Sequence, residues 1–209
     1  MNSRDQILGR IRTALRDIPA ASAVPAVRIA IPEVSATERE SQFFSALEKL
    51  NMKTYRAKSE ADARTYADQL IAGRSAVASN SPVLARCGIA TLAGVACGFT
   101  AATDLRAMCA SASLGITSAD YALADTGTLV MLSSQEEARM ISLLPPAHLA
   151  IVPRDRLLTG LDELLSVLPT PARRSSSMVF ITGPSRTADI EQILVRGVHG
   201  PGEVHVVLL

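Results

Sequence analysis

A chain of 209 residues that is 48% hydrophobic and 20% charged carries enough apolar surface for one α/β domain, or for one domain with a small appendage. Its 21 Lys and Arg against 20 Asp and Glu leave a formal charge of +1, so no global basic field draws it to nucleic acid or anionic lipid. With no Trp, three Tyr and four Phe it also lacks the aromatic faces on which unpaired bases stack.

In chain order, Ser3 and Gln6 form a capping-box pattern ahead of Ile7, Leu8, Ile11 and Leu15, which predicts an amphipathic helix ending near Asp17. Residues 18–35 hold Pro19, Pro25 and Pro32 among many alanines and read as a semi-rigid extended linker. The expected division is therefore a helix with its linker, 1–35, and a single α/β domain, 36–209. The helix reads either as a partner-binding arm or as a cap on the sheet, and it is compatible with a homo-oligomer or a hetero-complex. Thr37 with Glu40 makes a second capping box before Phe43, Phe44, Leu47 and Leu50. A short strand follows at 51–58. Ser59 with Asp62 caps a helix bearing Ala63, Tyr66, Ala67, Leu70 and Ile71, which Gly73 ends. Residues 75–79 are a small apolar strand, Pro82 suits the first position of a short helix closed by Gly88, and 89–96 is a further strand. Thr103 opens a helix through Leu105, Met108 and Cys109.

From Ser113 the pattern shifts. Residues 114–120 read as a strand end and turn, 121–125 cross to Thr126-Gly127, and 128–132 are β-rich. Ser134 with Glu137 caps a predicted helix that Pro145-Pro146 stops, placing Glu136 and Glu137 at its positive end. His148 opens a strand to Val152, with its ring expected at a strand edge, and 155–168 is a leucine-rich helix. A polar loop at 169–177 carries Arg173 and Arg174. The last segment reads as a buried strand at 178–182, a break at 183–187 and an amphipathic helix with Ile190, Ile193 and Leu194 stopped by Gly197. A polar turn at 198–202 and a terminal apolar strand complete it. Alternation at these lengths predicts an α/β fold with a mostly parallel central sheet covered by helices on both faces.

Two polar bends are the candidate site. At the first, Gly183 permits a sharp turn, Pro184 fixes the next φ, and Ser185 or Thr187 caps the helix, leaving free N–H groups for an anion. Arg186 adds a guanidinium fork suited to carboxylate or phosphate; the alternative is a capped helix start with a solvated arginine. At the second bend, Thr126, Gly127 and Thr128 offer hydroxyls, amides and close backbone approach. Asp120 and Asp125 form either an acid/base pair or a helix cap and a turn stabiliser. Glu136 is a second candidate proton carrier, and Arg139 is a candidate partner for Arg186 around an anion. His199, in its turn, suits ligand contact or proton transfer near neutral pH, whereas His205 reads as structural. The expectation is that the bends at 125–128 and 183–187 face one cleft holding a small anionic ligand.

No H-x-H, HExxH or His/Cys pairing predicts a metal site, and no nucleotide fingerprint predicts a cofactor. Cys87, Cys97 and Cys109 are too loosely spaced for CxxC patterns and read as small buried residues of a reducing compartment. No apolar run reaches the roughly 18 residues of a membrane span, and the charged N-terminus argues against a secretory signal. A cytoplasmic location is expected.

The residues ITGPSRTADIE followed by GVHGPGEVHVVLL resemble the C-terminal signature of the lactate-utilisation protein C family, the LUD-domain proteins. A second block agrees: Ala124-Asp125-Thr126-Gly127-Thr128-Leu129-Val130, then Ser142-Leu143-Leu144-Pro145-Pro146-Ala147-His148. The joint match covers residues 114–209. The family often has glutamate where this chain has Asp125. The segment TSADYALADTGTLV is also similar to the glycine-rich region of the sugar-phosphate isomerase and CoA-transferase-like superfamily, where that region lines the phosphate or CoA pocket. The resemblance implies that fold. It implies, too, a component of an L-lactate to pyruvate oxidation system that lacks redox-centre ligands and works with iron–sulfur partner subunits. The alternative it implies is a stand-alone superfamily enzyme acting on a phosphorylated or carboxylated small molecule.

Overall fold

The computed structural model describes residues 2–16, 31–188 and 194–209. The chain divides into two compact units, 1–30 and 31–209. In the first, α1 (Ser3–Leu15) is capped by Asn2 rather than Ser3: the Asn2 side chain accepts the Asp5 N–H at 2.9 Å while Ser3 is already helical. None of its residues is buried. Most of the expected linker lies outside the described residues.

The second unit opens with α2 (Ala36–Lys49). Its cap is Ser35, accepting from Glu38 N–H, so the box expected at Thr37 and Glu40 starts two residues late. The helix ends on Asn51, in the left-handed region at φ 58°. There Asn51 N–H bonds Glu48 O and Met52 N–H bonds Leu47 O, while Met52 and Leu47 join the same apolar cluster. Next come β1 (Lys53–Arg56), α3 (Glu60–Ile71), β2 (Ala76–Ala78), α4 (Pro82–Arg86), β3 (Val95–Ala96), α5 (Ala102–Ser111) and β4 (Leu114–Ser118). The strand expected at 89–96 shrinks to β3, because Ile89–Thr91 forms a 3-10 turn that buries Ile89.

The chain continues through β5 (Tyr121–Leu123), β6 (Thr128–Leu132), α6 (Arg139–Leu143), β7 (Ala147–Val152), β8 (Leu157–Leu158), α7 (Leu161–Val167), β9 (Met178–Ile181), β10 (Arg186–Ala188), β11 (Leu194–Arg196) and β12 (Glu203–Leu208). Six strands form a wholly parallel sheet in the order β1-β12-β7-β4-β2-β3. The sheet is covered on both sides, as alternation predicts. Ala63, Ala67 and Ile71 of α3 and Leu84 of α4 pack on one face, with Ile116, Leu149 and Ile151. Phe43 and Leu47 of α2 pack on the other, with Ala150, Val152, Val204 and Val206. Val77 turns toward Leu105 and Cys109 of α5 and Ile141 of α6. The terminal residues 204–208 are buried, and all but His205 are apolar, because β12 lies between β1 and β7 with both faces covered.

A second sheet, β8-β5-β6-β9, packs against the α2 side through Ala122, Leu129, Met131 and Val179. Three expectations change here. Residues 155–168 are not one helix, since Leu157 and Leu158 pair with β5 and Gly160 breaks the chain before α7. Strand β9 is not in the parallel sheet; it is a half-buried antiparallel partner of β6. The helix after Gly183 is replaced by the β10–β11 pair, with Arg186 opposite Arg196. Ser185 and Thr187 therefore stand before and within a strand, not at a helix start. Ile190 and Ile193 lie outside the described residues.

Candidate functional site

The carboxyl ends of β2, β4 and β7 and the adjoining ends of β5 and β6 enclose a cleft of about 740 Å³. Ligands of parallel α/β sheets bind at this edge because strand ends and crossovers leave a crevice there. Its polar lining includes Ser81, Ser118, Asp120, Glu137, Arg156 and Arg174, and Glu136, singled out from sequence, lines it too.

Glu137 reaches this place through a local turn. Ser134 Oγ accepts the N–H groups of Glu136 and Glu137 at 3.1 and 3.0 Å, as a cap would. No helix follows until Arg139, so the Ser134 pattern closes a turn and not a helix start. Asn80 N–H holds the Glu136 carbonyl, and the turn swings the Glu137 side chain inward while Glu136 stays exposed. Glu137 Oε1 accepts both the Ser118 N–H at 2.9 Å and the Ser118 hydroxyl at 2.8 Å. Oε2 is buried without a hydrogen-bond partner among the described residues. Burial pushes the carboxyl up to about 7; the Ser118 amide and hydroxyl pull it down, and the Asp120 charge raises it further. Ser79 Oγ is close enough to favour the anion, yet makes no hydrogen bond of good geometry. Glu137 is thus a carboxyl poised to gain or lose a proton near neutrality.

Asp120 is held by the Leu132 N–H, which donates to its Oδ2 at 2.7 Å. Burial raises its pKa, opposed by that bond and by the charges of Arg156 and Arg174. Arg156 lies 5.6 Å over the Tyr121 ring and 3.8 Å from Asp155. The cleft therefore carries a cationic lip beside a carboxyl-rich wall.

Of the residues singled out from sequence, Asp120 and Glu136 line this cleft, whereas most of the others fall at the opposite ends of β5 and β6. The bends at 125–128 and 183–187 do adjoin: Thr128 and Thr182 share a 2.8 Å hydroxyl bond where β6 meets β9. Ser185 N–H bonds Pro201 O and Gly197 N–H bonds Ser185 O, so the His199 turn joins them. This cluster stands at the amino ends of β1 and β12. It closes on α2 rather than on open space. A Cβ added to Gly127 (φ 65°) would lie 3.1 Å from Ala46 and Leu47, and one on Gly183 (φ 100°) 3.6 Å from Leu50. Pro184 is buried, and Arg186 donates to the Leu50 carbonyl at 2.9 Å, where it caps the end of α2. A surface groove beside it is lined by Gln42, Lys49, Asp125 and Thr126. Asp125 and Thr126 are exposed, with Thr126 Oγ1 donating to Asp125 Oδ1 at 3.1 Å. Asp120 and Asp125 thus sit at opposite ends of β5 and form no acid/base pair. Arg139 donates to Ser177 rather than meeting Arg186.

Among the histidines, His199 is exposed, outside the carboxyl-edge cleft. His148 is not at an edge: β7 is interior, the ring is wholly buried, and Nε2 shares a 2.8 Å bond with the Thr117 hydroxyl. His205 is structural as read, bridging Tyr66 OH at 2.8 Å and Glu203 at 2.9 Å. Sequence reasoning missed Ser81, Ser118, Arg156 and Arg174 and took Glu137 for a cap; the available signal was a buried-strand serine, Ser118, two residues before Asp120.

No group of three His, Cys, Asp or Glu among the described residues is arranged to hold a metal. No helix among them is long and apolar enough to cross a membrane.

Comparison with known proteins agrees with the architecture. The chain is 46% identical over 94 residues to "Lactate utilization protein C" of Halalkalibacterium halodurans, covering 43% of this chain and 41% of that protein. It is 36% identical over 106 residues to the protein of the same name from Oceanobacillus iheyensis, covering 47% and 44%. The matches thus span less than half the length of these curated relatives. The crystal structure of a DUF162 family protein from Deinococcus radiodurans shares the fold, with a TM-score of 0.66 at 17% identity over 84% of this chain and 99% of that one. The LUD domain family model matches residues 41–209, and the chain belongs to that family.

Proposed function

We propose that this chain serves in lactate utilisation and binds a small organic acid anion in the cleft at the carboxyl edge of the parallel sheet. The names of its relatives support the pathway. The observation that carries the site is the pairing of a buried, near-neutral carboxyl, Glu137, with the guanidiniums of Arg156 and Arg174 around one cleft. Those guanidiniums supply the fork that matches a carboxylate. The bends at 125–128 and 183–187 act in this reading as a clasp on α2. Three cysteines fall short of the four thiolates of a common iron–sulfur cluster. As the family resemblance implies, electron transfer in this reading belongs to iron–sulfur partner proteins, in the reducing cytoplasm that unpaired cysteines suit.

A second reading is a stand-alone enzyme of the isomerase and CoA-transferase-like superfamily acting on a phosphorylated or carboxylated molecule. It is favoured by the pKa of Glu137, which fits a general acid or base.

Thermal unfolding with lactate, pyruvate, malate, ribose 5-phosphate and CoA separates the two. Under the first reading, an organic acid at a hundred times its Kd raises Tm by about 5–10 °C, and Arg174→Ala or Arg156→Ala removes the shift. Turnover of a phosphate or CoA ester would favour the second. A flat response to the whole panel would end both.

A further inference from the structure

We infer that the cleft discriminates by oxidation state: it takes an acid bearing a hydroxyl beside its carboxylate in preference to the matching oxo acid. The inference rests on the cleft being the acid-binding site and concerns the direction in which its serine hydroxyls point.

A serine hydroxyl has one hydrogen to give. That of Ser118 goes to Glu137 Oε1 at 2.8 Å. Ser118 and Ser81 share a 2.6 Å hydroxyl bond, and because the Ser118 hydrogen is already committed, Ser81 must be its donor. The Val83 N–H donates into Ser81 Oγ at 3.2 Å. The chain therefore runs one way, Ser81 to Ser118 to Glu137, with every hydrogen directed inward. It keeps that direction whether or not Glu137 is protonated. Oε1 already accepts two bonds, from the Ser118 amide and hydroxyl, so an added proton resides on the unpaired Oε2. Beside the chain, Asp120 contributes a further acceptor, with Oδ2 bound to the Leu132 N–H. The hydroxyls of Ser81 and Ser118 thus present lone pairs, and the guanidiniums of Arg156 and Arg174 are donors of the same cleft, which Ser133 and Ser134 also line.

A ligand laid across this arrangement sets its carboxylate on the arginines and faces acceptors at the neighbouring carbon. A hydroxyl there donates to Ser81 or Ser118. A ketone oxygen there brings a lone pair against lone pairs and leaves both sides without a hydrogen. Sites built to hydrogen-bond one partner reject its mismatched analogue by a tenfold factor or far more.

The test is calorimetric titration of the full chain with two matched pairs, lactate with pyruvate and 2-hydroxybutyrate with 2-oxobutyrate, and with propionate as the acid lacking either oxygen. The expected result is binding of each hydroxy acid about ten times tighter than its oxo partner, with propionate weaker than lactate. Ser118→Ala frees the Ser81 hydrogen to turn toward the cleft, so the ratio falls toward one while carboxylate binding survives. Glu137→Gln, whose amide oxygen still accepts from Ser118, keeps the ratio. Equal or tighter binding of the oxo acids by the unaltered chain, or an unchanged ratio in Ser118→Ala, overturns the inference and leaves the binding site standing. Binding of none of the five acids removes the site itself, and the inference with it.

Discussion

Replacing Glu137 by Gln isolates what it costs to keep an ionisable group in that wall. The folded carboxyl titrates at about 7 against an ordinary value of 4.5, so its folded pKa is raised. The associated stability is complete below pH 4.5, where both folded and unfolded chains are protonated. Above that the unfolded chain ionises first, and stability declines until the folded group also ionises near pH 7. Each pKa unit corresponds to about 1.36 kcal/mol, so a rise from 4.5 to 7 corresponds to about 3 kcal/mol. Gln does not titrate. Its oxygen can accept both Ser118 bonds, while its two N–H hydrogens at the Oε2 position add a cost that is the same at every pH. The diagnostic quantity is therefore the change in the difference between the two proteins as pH rises. Urea unfolding of both at pH 4.5, 6, 7.5 and 9 should show the variant gaining about 3 kcal/mol between the lowest and highest pH. That gain corresponds to roughly 6–12 °C in Tm for a chain of this size. A difference flat to within about 0.5 kcal/mol over the range would refute the idea that burial suppresses ionisation of Glu137.

The buried His148 makes the opposite prediction. Burial, aided by the nearby His205, lowers its pKa from 6.5 to about 4, so stability is present above pH 6.5 and is lost as pH falls toward 4, by up to about 3 kcal/mol. His148→Gln should be less acid-sensitive in urea unfolding across that window, and an unchanged acid slope would show that other groups dominate. Gly115 allows α6 to lie directly on β4: an added Cβ would collide with the Ile141 carbonyl and lie 3.2 Å from the Pro145 ring. Gly115→Ala should cost about 1–3 kcal/mol or more by overpacking, read from the urea midpoint at unchanged slope.

The elements that were legible in sequence were those whose reasons are local. Ser59 with Asp62, Pro82 with Gly88, and the apolar runs at β2, β4, β7 and β12 all stand where their patterns place them. In each case one residue's backbone preference, or one continuous run of apolar residues, decides the outcome. Residues 178–197 misled because the pattern has two physical solutions. A short apolar run ended by Gly-Pro continues equally well into a crossover helix or into a hairpin, and pairing of β9 with β6 decided between them. Ser134 and Glu137 misled for a related reason. The serine makes the bonds of a cap, and nothing in the four residues announces that the helix will not continue.

Sequence alone determined the α/β class, the parallel sheet, the near-neutral charge and the family resemblance, since hydrophobic period and short motifs record what each segment must bury or bend. Only the tertiary structure decided which polar residues share a cleft. Asp125 and Asp120 are close in sequence yet β5 carries them to opposite ends, whereas Ser81, Ser118, Glu137 and Arg174 are far apart in sequence and meet because β2 and β4 lie side by side and end at the same edge. Strand order sets those meetings, and strand order follows from packing the whole chain at once.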